Sequence, residues 1–90
     1  DQSFKIRGKL LAIDTTRKLL SIEVGSSTYR PKTYNGTVVS VAYNGETIFV
    51  HLGKAIKVGD ITVNYQNVQV NGRVVNGNTF EATKVFEPIP

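Results

Sequence analysis

Apolar and polar residues alternate with period two through most of this chain, and that pattern restricts the fold more than any other feature. Residues 37–52 read TVVSVAYNGETIFVHL, two alternating runs around Asn44-Gly45, and residues 4–9 set Phe4, Ile6 and Gly8 against Lys5, Arg7 and Lys9. Successive side chains of a strand point to opposite faces, so each run offers one face to bury and one to expose. No window keeps apolar residues at helical three-and-four spacing for even three turns. The pattern predicts an all-β domain.

The strands can be placed from the same pattern. The first covers residues 4–14; beyond Gly8 both of its faces turn apolar, Leu10 with Ala12 on one side and Leu11 with Ile13 on the other. That predicts a bend or bulge at Gly8 and burial on both faces after it. Asp14-Thr15-Thr16-Arg17 turns the chain into a second strand, 18–24. Asn44-Gly45 supplies the residue types of a tight hairpin turn with positive φ at both positions. Such a hairpin pairs Val41 with Ile48 and Val39 with Val50 on a core face, and sets Phe49 beside His51 on the other. Ile56 and Val58 of the connector GKAIKVGD are expected to plug one end of the core. A strand over 61–75 slips near Gln66-Asn67 and at Asn71-Gly72, which reads as bulging, and Asn76-Gly77-Asn78 leads into a last strand over 79–87.

A long first strand, a short second, a loop, a hairpin, a connector and a bulged final hairpin follow the strand count and order of a five-stranded OB-like Greek-key barrel. The segment KVGDITVNYQNVQVNGRVVNGNTFEATKV resembles the last two strands of OB-fold domains, and FKIRGKLLAIDTTRKLLSIEV is similar to the first hairpin of small exported bacterial OB-like domains of unassigned function; together they span about half the chain. The resemblance implies one OB-like domain over residues 1–90. Where that family places a helix between its third and fourth strands this chain has only GKAIKVGD, which leaves a small β-sandwich as the alternative architecture. A start at Asp1 rather than methionine, with an Asn- and Thr-rich composition, weakly favours an extracytoplasmic, processed chain.

Several functions lose their chemistry at this level. The chain has no cysteine, methionine or tryptophan, so no thiolate nucleophile, disulfide framework or sulfur-ligated metal is available. Copper or haem handling, which the resemblance to exported OB-like domains brings into consideration, would draw on those missing ligands. His51 is the sole histidine and has no acid beside it in sequence, so it reads as a surface or cross-strand residue. No enzyme activity, metal or cofactor is expected, and no apolar run approaches the roughly 20 residues of a membrane-spanning helix.

Charge gives the more positive indication. The net charge of +4 lies wholly in residues 1–32, which carry seven cations against three acids, while residues 33–90 carry four of each. Non-specific single-strand binders combine cations that follow phosphates with aromatic faces on which bases stack. Lys5, Arg7 and Lys9 on the first strand, Arg17 and Lys18 at the first turn, the loop residues Tyr29, Arg30, Lys32 and Tyr34 of TYRPKTYNG, and Phe49 with Arg73 make up such a set. The expected partner is a single-stranded nucleic acid or an acidic partner. The alternative is an extracellular or virion-type structural subunit that assembles into a homo-oligomer or filament through strand edges, a function needing no special side chain.

Overall fold

The computed structural model describes residues 2–28, 36–61, 67–76 and 78–87. Among the described residues seven strands follow in chain order: β1 (Gln2–Asp14), β2 (Leu19–Ser27), β3 (Val38–Ala42), β4 (Ile48–His51), β5 (Lys54–Ile56), β6 (Val68–Val75) and β7 (Thr79–Phe86), with a 3-10 turn at Val58–Asp60. Antiparallel pairing links β3 to β2, β2 to β1, β1 to β6 and β6 to β7. A short parallel pairing, Val41 opposite Phe80 and Ala42 opposite Glu81, then joins β3 to β7 and closes the circuit. The result is a closed five-stranded barrel of OB-like topology with β4 and β5 as two extra strands, not a sandwich. No helix among the described residues is long and apolar enough to cross a membrane.

The alternation predicts which side of β1 is buried: Phe4, Ile6 and Leu10 lie in the core, and Lys5 and Arg7 face solvent. Ile22, Val41, Val70 and Val85 are fully buried from the other barrel strands, each worth roughly 1.5–3 kcal/mol over an exposed side chain. Two glycines bend the barrel where the sequence reading placed irregularities. The β1–β2 register shifts between Arg7 and Gly8, and the β6–β7 register shifts between Asn71 and Gly72. A Cβ on Gly8 would run into the carbonyl of Glu23, and one on Gly72 into that of Glu81, so both positions require the backbone-to-backbone approach that only glycine permits. Burial of both faces beyond Gly8 does not hold. The register shifts again between Leu10 and Ala12, after which Ala12 is exposed while Ile13 packs against the core.

The expected β3–β4 hairpin is corrected. Neither Asn44 nor Gly45 has a positive φ, and the tight hairpin turn needs one at both. Instead the Asn44 side-chain oxygen accepts the Glu46 N–H at 2.7 Å, and the Asn44 carbonyl accepts the Thr47 N–H at 3.1 Å. Thr47 then fastens the turn to the barrel: its buried hydroxyl accepts the Asn44 N–H at 3.0 Å and donates to the Ala82 carbonyl at 2.8 Å. The chain runs on along β7 rather than folding back on β3. The two strands pair with successive halves of β7, β3 at Phe80 and Glu81 and β4 at Lys84 to Phe86. Val39 and Val41 are buried as expected, but in β4 the faces are inverted, with Phe49 inside, Ile48 55% exposed and Val50 only half-buried. Ile56 and Val58 pack against the core as expected of the connector.

Candidate functional site

The sequence-predicted cations divide between two regions. Lys5 lies opposite Asn71, and Ser3 opposite Arg73, so Lys5, Arg7 and Arg73 share the outer face of β1 and β6. Arg7 is held there by its Nε–H, which donates to Gln69 at 2.9 Å; Gln69 in turn donates to Asn71 at 2.9 Å. The same row reaches Lys84, whose ammonium sits 5.0 Å from the Phe86 ring centroid. Lys9 is half-buried, opposite Glu23. Arg17 and Lys18 sit apart, in the β1–β2 turn that Asp14 organises by accepting the Thr16 and Arg17 N–H groups at 3.0 and 2.9 Å. Tyr29, Arg30, Lys32 and Tyr34 lie outside the described residues.

Phe49 cannot serve as a stacking platform. It is 6% exposed, and its ring meets Tyr43 edge-on, with centroids 5.5 Å apart and planes at 87°. Its inward position follows from the inverted face of β4, which leaves only a margin of the ring at the surface, too little to stack a base.

That inversion assembles a different site. Beside Phe49 in the inward row of β4 stands His51, and two residues on from the inward Val85 of β7, just past the end of that strand, stands Glu87, the two strands being parallel neighbours. His51 Nδ1 and Glu87 Oε1 are 2.8 Å apart. An ionised carboxylate only accepts, so the imidazole N–H is the donor of this bond. The Glu87 side chain is 6% exposed and that of His51 39%. Glu87 Oε2 is buried with no hydrogen-bond partner among the described residues. The site thus presents one imidazole and one carboxylate, whose second oxygen is buried and unpaired among the described residues. Sequence reasoning missed the pair because its members are 36 residues apart and meet only through non-local pairing; the one available signal was an inward glutamate at the end of an otherwise apolar strand face.

No family model and no curated protein matches the sequence. Solved structures do match the fold. CusF with Ag(I) has a TM-score of 0.72 at 15% identity, covering 98% of this chain and 100% of that one. A tryptophan-to-alanine variant of CusF from Escherichia coli with Cu(II) has a TM-score of 0.71 at 15% identity, over 98% of this chain and 94% of the other. A further Ag(I) structure of E. coli CusF gives 0.70 at the same identity and coverage. At this identity the likeness is one of fold.

The nucleic-acid expectation is corrected on these findings. Similar barrels are solved with metal ions, Phe49 is in the core, and Arg17 and Lys18 are separated from the Lys5–Arg7 face. The assembling-subunit alternative gains no support either, since the β3–β7 pairing joins the two ends of the five-stranded barrel to each other.

Proposed function

We propose that this chain is a non-catalytic module that binds a divalent transition-metal ion, with His51 and Glu87 as its protein donors. The observation that carries the reading is the pair itself: an imidazole nitrogen and a carboxylate oxygen 2.8 Å apart, with the second carboxylate oxygen buried and unpartnered among the described residues. Removing a carboxylate from water costs several kcal/mol unless opposite charge and hydrogen bonds surround it. The imidazole N–H compensates one oxygen; a cation held between Nδ1 and Oε1 would displace that proton and bring a full positive charge to the carboxylate. The fold likeness to CusF structures carrying Ag(I) and Cu(II) supports a metal ion as the class of ligand.

Donor chemistry discriminates between those two ions. Ag(I) is soft and favours sulfur, and this chain contains neither cysteine nor methionine. Imidazole with carboxylate suits Cu(II) and Zn(II). No group of three or more His, Cys, Asp or Glu that could hold a metal exists among the described residues. Structural zinc sites are closed by four protein ligands; a site with two such donors leaves positions to water and holds its ion as exchangeable cargo.

Cu(II) titration followed by electron paramagnetic resonance tests this. The expected result is one equivalent with nitrogen hyperfine coupling, lost in His51→Gln and weakened about tenfold or more in Glu87→Gln. Binding unaltered in both variants would overturn the reading.

A further inference from the structure

The turn carrying Thr47 also walls a second feature, a cleft of about 310 Å³ at the end of the barrel near the β1–β2 turn. Its apolar lining comes from Tyr43 and Phe49, packed edge-to-face, and from Ile56 and Val58 on the other side; Lys18 and Lys57 supply its charge. None of the lining residues among the described ones is acidic.

Both lysines are held at fixed backbone positions. Lys18 adopts a φ of 57°, and its carbonyl accepts the Tyr43 N–H at 3.0 Å, which ties the turn to the residue after β3. Lys57 opens the 3-10 turn: its carbonyl accepts the Asp60 N–H at 2.9 Å and its own N–H donates to Asp60 Oδ2 at 3.3 Å. The Asp60 carboxylate is thereby occupied with the turn and does not line the cleft.

We propose that this cleft binds a small organic anion, with a carboxylate facing Lys18 and Lys57 and an apolar body lying against Ile56, Val58 and the exposed margins of Tyr43 and Phe49. Charge complementarity selects the anion, since two cations with no acid among the described lining residues repel a cationic ligand and leave a neutral one without a head-group partner. Size selects a small molecule, since the volume lies at the lower end of the range for small-molecule sites. The aromatic and aliphatic walls select the apolar body, because few polar contacts are present to hold a purely polar anion.

Octanoate, octanol and octylamine at matched concentrations test the proposal in metal-free buffer, with binding read from backbone amide shifts. Octanoate is expected to bind with its largest shifts at Tyr43, Lys57 and Val58, more tightly than octanol, and octylamine is expected not to bind. Lys18→Gln and Lys57→Gln should each weaken octanoate by up to roughly fivefold, the upper end for an exposed ion pair, and leave octanol unchanged. Both lysines are exposed, so these variants keep the fold, and unchanged amide spectra away from the cleft verify that. Equal binding of octanoate and octanol, absence of binding by octanoate, or shifts centred elsewhere would each refute the site.

Discussion

His51 and Glu87, 36 residues apart in sequence, meet at 2.8 Å because β4 runs parallel to β7 and the two residues continue the inward rows of Phe49 and Val85. Removing the exposed partner is the more damaging change, since it strands a buried charge. His51→Ala should therefore cost about 2–4 kcal/mol, toward the lower part of the range for broken buried pairs because the imidazole is partly solvated. Glu87→Gln, which keeps a hydrogen-bonding oxygen, should cost less, and the double replacement His51→Leu with Glu87→Met should recover most of the loss. Urea unfolding of the variants measures all of these; a double replacement as unstable as His51→Ala would show that the loss is packing rather than charge.

Thr47 is the second element that fixes the site, because it holds the β3–β4 turn to β7. Its hydroxyl is buried and bonded both to the Asn44 N–H and to the Ala82 carbonyl. Thr47→Val preserves shape and leaves those groups unpaired, with an expected cost of about 1–3 kcal/mol. A valine variant with an unchanged urea midpoint would mean that the clamp contributes nothing.

Much of the barrel could be read from alternation because period-two patterning reports burial directly. It identified the buried side of β1, and the breaks in it at Gly8 and Asn71-Gly72 coincide with register shifts. The failure at β3 and β4 has a specific cause. Asn-Gly between two apolar runs is the strongest short-range hairpin signal, but that signal cannot report a threonine whose partner carbonyl lies 35 residues away. Inverting one strand is a one-residue difference, and it exchanged Ile48 for Phe49 in the core. His51 and Glu87 stayed hidden for the same reason. The charge count was correct along the chain but carried no information about which cations share a face.

Glycine substitutions distinguish the observed turn from the hairpin directly. Gly45 has no heavy atom within 4 Å of a would-be Cβ and does not have a positive φ. Gly45→Ala should be neutral or stabilise by up to about 1 kcal/mol. In a hairpin turn with positive φ the same change would destabilise. Gly72→Ala is the contrast, since its methyl would press on the Glu81 carbonyl and the Phe4 ring, and about 1–3 kcal/mol of overpacking cost is expected. Thermal melts of the two variants decide the matter: a destabilised Gly45→Ala would contradict the turn described here.

The exposed and buried residues of β4 should respond in the opposite sense from that expected of a hairpin. Ile48 is 55% exposed and lies opposite Lys84, whereas Phe49 is 6% exposed. Ile48→Thr should change stability by no more than about 0.5 kcal/mol, while Phe49→Ala should cost about 3–5 kcal/mol. Similar costs at the two positions, read from denaturant midpoints, would place both side chains in the core and contradict the register.

Metal selectivity follows from the donor pair, His51 and Glu87. A ligand that binds only the folded state stabilises it by about 2.7 kcal/mol when present at 100 times its dissociation constant. Cu(II) should therefore raise the melting temperature in a concentration-dependent way, and the rise should vanish in His51→Gln, which removes the only imidazole in the chain. Ag(I) should leave the melting temperature of the parent unchanged, because no thioether or thiolate is available to it. The fold neighbours carrying Ag(I) make this a demanding comparison: shape alone predicts the same response to both ions, whereas donor chemistry predicts a response to Cu(II) only. Stabilisation of the parent by Ag(I), persisting in His51→Gln, would show that the barrel holds metal through groups other than His51 and Glu87.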